Sequence, residues 1–318
     1  MRKIWERDRV YSVLRYYVDF CTRASYRRLS VKGAIPAEQA VLICPNHTNT
    51  LMDALVVLQS RHAPTVFGAR ADIFSQPAVA KILRFLKILP MVRRRDGIRN
   101  VLRNYETMDE VQDVLSNNTP FCMFPEGRHT PGRELQPLQK GIARMAFQSA
   151  LARPTQVVPV GINYSSFFTY RGTCDIEYGE PMDVNAFLAS TKDMAEGARY
   201  QAFLEELHKR MSALIWPSCP QPSRFPFWLF PVWVVCALLA LPIWLPAELM
   251  CKFKVKDRAF HNTVRFGFKL ILTPIFFVAL GVLFFLTLPW WLAIALLAAY
   301  VPSYSLFYDG LTLFRRAN

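Results

Sequence analysis

The residues best suited to moving a proton are His47 and Asp53, in the run Asn46-His47-Thr48-Asn49-Thr50-Leu51-Met52-Asp53. An imidazole exchanges a proton near neutral pH. A carboxylate bonded to one ring nitrogen fixes tautomer and orientation, leaving the other nitrogen free to take a hydroxyl proton. On a regular helix, six steps would set the two side chains roughly 120° apart. His47 is therefore expected in a loop, with Asp53 reaching back to it from the first turn of a following helix. Thr50-Leu51-Met52-Asp53 also fits the Thr-x-x-acid pattern of a helix start, so capping is the other reading of Asp53.

A second turn, Phe124-Pro125-Glu126-Gly127-Arg128, offers a carboxylate, an exposed backbone and a guanidinium together. Guanidinium suits phosphate because its planar fork makes paired hydrogen bonds. His129 follows as either a further phosphate contact or a polar loop residue. Lys140-Gly141 opens a helical pattern, where an anion site and a plain cap are both reasonable.

These residues need elements to hold them. Short apolar runs at 40–44, 65–68, 120–124 and 157–162 read as buried strands. Helical patterns at 53–60, 76–88, 98–116 and 141–152 alternate with them, which predicts an α/β domain. His47 and Asp53 then lie just after the first of those strands, where such folds present side chains. Val158-Pro159-Val160-Gly161 is expected to pack beneath the site.

Composition sets the surroundings. In 318 residues, hydrophobic types make up 52% and the net charge is +14, a combination that calls for an anionic partner or surface. The basic residues alternate with apolar stretches and carry no zinc-finger or RNP-like spacing, so lipid fits better than nucleic acid. Seven scattered cysteines with no C-x-x-C suggest neither a disulfide framework nor a zinc site, and a reducing compartment is the default. The charged run Glu6-Arg7-Asp8-Arg9 interrupts any signal-peptide core.

Residues 11–30 combine aromatic and cationic faces and read as an amphipathic helix, lying on a membrane or packed into the core. The proline-rich segment 216–224 marks a boundary before nearly continuous apolar sequence. The expected organisation is an N-terminal membrane-surface segment at 1–35, a catalytic domain at 36–215 and a C-terminal membrane region at 216–318. Residues 225–249 can enter a bilayer but contain Pro226, Pro231, Pro242 and Pro246, giving either one span or a re-entrant hairpin. Residues 270–308, divided by Pro289-Trp290-Trp291, read as two spans joined at the interface. Lys252, Lys254, Lys256, Arg258, Arg265 and Lys269, with Arg315 and Arg316, place both flanks on the cytoplasmic face, which favours the hairpin for 225–249.

Asn46-His47 with its following Asp, Phe124-Pro125-Glu126-Gly127 and Val158-Pro159-Val160-Gly161 together resemble the glycerolipid acyltransferases, the lysophosphatidic acid acyltransferase family, over residues 40–165. The resemblance implies a central mixed sheet flanked by helices. It also implies acyl-CoA or acyl carrier protein as donor, lysophosphatidic acid as acceptor within phospholipid biosynthesis, and no cofactor or metal. By it His47 is the general base and Asp53 orients it. Glu126, Gly127 and Arg128 lie beside the acceptor phosphate. Leu89-Pro90-Met91-Val92-Arg93 resembles a further motif, making Arg93 a phosphate contact, with Arg94 and Arg95 as alternatives. Two features depart from the family pattern. Five residues rather than four separate His47 from Asp53, as in a branch acting on glycerol 3-phosphate or dihydroxyacetone phosphate. Glu126-Gly127-Arg128-His129 replaces Glu-Gly-Thr-Arg. Glycerol 3-phosphate and other lysophospholipids are therefore alternative acceptors. A lipid hydrolase using His47 to activate water, and a non-catalytic lipid-binding protein, are the rivals; no G-x-S-x-G elbow supports a serine hydrolase.

Overall fold

The computed structural model describes residues 3–6, 8–36, 39–61, 63–91, 101–221, 223 and 225–313. Its centre is one mixed sheet. In chain order the strands are β1 (Arg28–Lys32), β2 (Ala40–Pro45), β3 (Val66–Arg70), β4 (Ile88–Met91), β5 (Phe121–Cys122), β6 (Thr155–Tyr164), β7 (Thr173–Tyr178) and β8 (Met182–Asp183). Across the sheet they run β1-β7-β6-β2-β5-β3-β4, with β8 also on β6. β2 lies parallel to both β5 and β6, whereas β6 meets β7 and β8 antiparallel.

β2 explains why the strand signal is a continuous apolar run. Val41 and Ile43 point into one core, while Ala40, Leu42 and Cys44 point into a second core across the sheet, all fully buried. A strand covered on both faces cannot alternate apolar with polar. The second core is closed by α4 (Val101–Ser116), α5 (Lys140–Ala152) and α7 (Glu196–Ala213), through residues such as Val114, Ile142 and Phe203. The short helices α3 (Pro77–Phe85) and α6 (Val184–Ser190) complete the connections.

The first core is covered differently. α1 (Arg9–Arg23) and α2 (Leu51–Gln59) are joined there by α8 (Phe230–Phe253), α9 (His261–Thr287) and α10 (Trp290–Gly310). Ala240, Ile243, Phe266, Tyr300 and Tyr304 pack with Met52, Val56 and Val160 as one cluster. The apolar C-terminal helices thus cover one face of the sheet that carries His47. They end on a buried ionic knot: Asp309 of α10 pairs with Arg27 Nε at 2.9 Å and takes both Nε and Nη2 of Arg171.

α8, α9 with Arg258–Phe260 ahead of it, and α10 are each long and apolar enough to cross a membrane. The division at 289–291 is where α9 gives way to α10. The hairpin expected within 225–249 is absent: α8 continues through Pro242 and Pro246. Proline is tolerated inside an apolar helix where packed neighbours hold the backbone, and α10 lies along α8 in that way. Helix α1 has one face packed into the core, as one of its two readings expects, and one that is exposed and apolar. Tyr11, Arg15, Cys21 and Thr22 are buried, while Val10, Val13, Tyr16 and Phe20 stand exposed on another face.

Three further features differ from expectation. The helix near the N-terminus stops at Arg23, and β1 takes up the end of the stretch. The helix expected over 76–88 stops at Phe85, and an unexpected strand, β4, follows it, since Ile88 to Met91 joins the edge of the sheet beside β3. β7 and β8, α6 and α7 lie beyond the expected elements altogether.

Asp309→Leu leaves the largely buried guanidinium groups of Arg27 and Arg171 without their shared carboxylate. The expected loss is about 3–5 kcal/mol, measured as thermal unfolding in detergent, with Arg171→Leu alone less severe.

Candidate active site

β2 ends at Pro45, and the turn that follows lies against the turn after β5 because these strands are parallel neighbours. This adjacency brings together two motifs almost eighty residues apart in sequence. Asn46 ties the turn to β6: its side chain donates to Ile162 O at 3.2 Å and accepts from Ile162 N at 2.7 Å. It thereby continues the sheet's hydrogen bonding past the strand end.

His47 Nδ1 lies 2.8 Å from Asp53 Oδ2. With the proton on Nδ1, the imidazole donates to the carboxylate, and Nε2 presents its lone pair; among the described residues nothing bonds to it. The same Asp53 oxygen accepts from the backbone N–H of Thr48 at 2.8 Å and of Asn49 at 2.7 Å. The other oxygen accepts from the Tyr164 hydroxyl at 2.8 Å. Four donors satisfy the fully buried carboxylate. Burial, then the adjacent Asp53 charge, push the Tyr164 phenol well above its ordinary value, which keeps it protonated and donating.

Of the two readings of Asp53, the contact with the imidazole is present, whereas the capping bond at Thr50 is not made. Asp53 gathers loop N–H groups ahead of α2, and it holds the imidazole. Thr50, the N-cap position, makes no capping bond; its hydroxyl meets Thr263 Oγ1 of α9 at 2.7 Å. Its φ of 48° is left-handed, an arrangement costing a β-branched residue on the order of 1–3 kcal/mol.

Glu126 faces the turn from the β5 side. Oε1 accepts from His47 N at 2.6 Å and Oε2 from Gln136 N at 3.0 Å, so this buried carboxylate is committed to the backbone of its own protein. Burial raises its pKa; the two backbone donors oppose that but do not cancel it. Gly127 turns the chain with φ of 68°, a conformation that favours glycine. Arg128 is exposed and makes one bond, to Gln136 Oε1 at 3.3 Å. Arg93, with Arg94 and Arg95, lies outside the described residues. Lys140 is exposed at the start of α5.

Around the imidazole, Phe124 stacks at 4.1 Å between ring centroids and His129 meets it edge-on at 5.8 Å. His129 in turn contacts Phe260 at 5.0 Å and reaches Asp257 Oδ2 at 3.6 Å, both from the segment joining α8 and α9. Sequence reasoning named Asn46 and Phe124 within its motifs without giving them a role, and missed Tyr164 and this C-terminal contribution. Tyr164 carried a weak signal, as a phenol at the end of the Val-Pro-Val-Gly strand on the same face as Ile162. Thr263 carried none.

An imidazole held in this way at the carboxyl end of a strand, with no bond to its other nitrogen among the described residues, can take a proton from a hydroxyl or water. The chain matches the family model described as Acyltransferase over residues 28–163. It is 36% identical over 85 residues to glycerol-3-phosphate O-acyltransferase 2 of Saccharomyces cerevisiae, covering 26% of this chain and 11% of that protein. It is 30% identical over 79 residues to an uncharacterized acyltransferase of Schizosaccharomyces pombe, covering 24% and 12%. These matches span about a tenth of the relatives' length. The crystal structure of the 1-acyl-sn-glycerophosphate acyltransferase PlsC from Thermotoga maritima aligns over 65% of this chain and 83% of that one, at 22% identity and a TM-score of 0.47.

Glu126→Gln replaces one acceptor oxygen by a donor and strands a backbone N–H, an expected cost of about 1–3 kcal/mol. The raised pKa adds a pH signature. Between the ordinary value and the raised one the folded state holds a proton that the unfolded chain has lost, so this contribution to stability is fully present below the ordinary glutamate range and is lost as pH rises through the raised value. Unfolding curves across acidic pH should show that slope in the parent protein and its loss in the variant.

Proposed function

We propose that this protein is a membrane-bound acyltransferase that moves a fatty acyl group from a thioester donor, acyl-CoA or acyl carrier protein, to a hydroxyl of a phosphate-bearing glycerol acceptor in phospholipid biosynthesis. The observation that carries it is the 2.8 Å bond from His47 Nδ1 to Asp53, with Nε2 free, inside the segment matching the acyltransferase model.

In this reading the acceptor hydroxyl gives its proton to His47 Nε2 while its oxygen attacks the thioester carbonyl carbon. The carbon–sulfur bond then breaks, and the imidazolium returns the proton to the departing sulfur. Asp53 holds the tautomer throughout and stabilises the imidazolium. The reaction needs no cofactor. Arg128, exposed beside the turn, and Arg93 receive the acceptor phosphate. Glu126 and Gly127 shape the turn from which Arg128 projects. Lysophosphatidic acid is the first acceptor to test. Glycerol 3-phosphate is the second reading, favoured by the five-residue spacing and by the name of the yeast relative.

Membrane association rests on the apolar helices. α8 is tied to the sheet ahead of its start, through Gln221 to Ser165 O, and beyond its end, through Thr50 to Thr263. In our reading α8 lies along the domain and the α9–α10 hairpin inserts, with Ile271, Ile275, Val278, Val282, Trp290 and Trp291 exposed to lipid. The lysines before α9 support a site on the cytoplasmic face. The exposed apolar face of α1 rests on the same surface.

Purified in detergent, the protein should acylate at least one of the two acceptors. His47→Ala should lower transfer by at least about a hundredfold and Asp53→Asn by a comparable factor. Full transfer by the His47 variant would sink the mechanism. Arg128→Ala should raise KM for the phosphate-bearing acceptor while leaving KM for the donor near its parent value; the converse pattern would assign Arg128 to the donor. Membranes washed with alkaline carbonate should retain the protein, and its release would overturn the inserted hairpin.

A further inference from the structure

The residues that fix the His47 turn do not all come from the matched acyltransferase span. Thr50 lies between His47 and Asp53 and takes a left-handed backbone conformation that a β-branched side chain resists. That conformation turns the chain from the His47 loop into α2, whose first turn carries Asp53 back to the imidazole. What meets Thr50 is α9. Thr263 Oγ1 lies 2.7 Å from Thr50 Oγ1, and Ala259 O accepts the same hydroxyl at 3.4 Å. One residue away, Asn262 donates to Asn49 Oδ1 at 3.5 Å and, more closely, to Phe167 O at 2.9 Å. Both threonine hydroxyls sit where the apolar helices close over the turn; Thr50, Asn49 and Asn262 are buried.

Such a hydroxyl pair is out of place as mere packing. Two methyl groups would fill the space without needing hydrogen-bond partners, whereas a buried hydroxyl left unpaired is costly. The pair matters because Thr50 has a relaxed alternative, with φ negative, that would redirect the chain between the base and its partner carboxylate.

We propose that Thr263 is a positioning residue for the acyl-transfer site: from the C-terminal membrane helix α9 it holds Thr50 in its left-handed conformation and thereby keeps the His47 imidazole on Asp53. The apolar helices are then part of the active-site scaffold as well as an anchor. The kinetic consequence rests on the function proposed above; the geometric one does not.

The test uses the full chain in detergent with Thr263→Val, Thr263→Ser, Thr50→Gly and the pair Thr50→Gly/Thr263→Val. Valine keeps the shape and removes the hydroxyl. It should lower kcat about tenfold, the worth of one hydrogen bond, with KM for donor and acceptor little changed. Serine should restore kcat. Glycine adopts the left-handed conformation freely, so Thr263→Val should cost markedly less in the Thr50→Gly background. Independently of turnover, carbethoxylation of His47 by diethyl pyrocarbonate, followed by peptide mass spectrometry, should be faster in Thr263→Val and return to the parent rate in Thr263→Ser.

Equal kcat and equal His47 modification in the valine variant and the parent would overturn the proposal. So would a serine variant as impaired as the valine one, or strictly additive effects in the double variant. If the parent transfers acyl groups to neither acceptor, the proposed function fails, and the His47 modification rates still decide whether Thr263 positions the ring.

Discussion

Everything at the site hangs on the buried carboxylate of Asp53. Removed from water, it is held by four donors: the His47 ring, the N–H groups of Thr48 and Asn49, and the Tyr164 hydroxyl. Each donor comes with a constraint. The backbone pair curls the loop around the carboxylate, Tyr164 locks it to β6, and the imidazole can satisfy it in only one orientation. A single buried carboxylate thus fixes the geometry of the loop, because leaving any of these groups unpaired there is expensive.

The scaffold supplies this carboxylate with neighbours that are distant in sequence. β5 and β6 flank β2 on either side, so the Glu126 turn and the Tyr164 strand end reach the His47 turn from opposite directions. Glu126 has the complementary task to Asp53. It accepts from the backbone of His47 and Gln136, joining the two turns without occupying the imidazole. Arg128, one residue past the left-handed Gly127, stays free to face solvent. A carboxylate and a guanidinium two positions apart therefore take opposite roles, because one points into the protein and the other out of it.

The same logic extends to the apolar C-terminal helices. Their buried residues share a core with α2 and β6, and polar residues of the helices and of the segment joining α8 to α9 land at defined places: Asp309 on two arginines, Asp257 on His129, Thr263 on Thr50. Membrane affinity would explain the exposed apolar side chains of these helices. It does not explain polar groups aimed at the sheet.

The local chemistry was legible in the sequence. The types and spacing of His47 and Asp53, the Phe-Pro-Glu-Gly turn, the doubly buried β2 run and the break at Pro289-Trp290-Trp291 were all readable. Each depends on residue type and short-range geometry, which a linear pattern carries. The short edge strands β1, β4 and β8 were not legible, because an edge strand forms by pairing with a distant partner rather than by its own periodicity. The continuity of α8 through two prolines was hidden for a related reason: neighbouring helices, not local propensity, hold that backbone. The tertiary structure alone decided that Glu126 serves backbone N–H groups, that Tyr164 completes the Asp53 cage, and that a threonine of the C-terminal helices reaches into the turn. The sequence determined which groups could form bonds; only the fold set their directions, since a hydrogen bond depends on atoms meeting within about 3 Å and at the right angle.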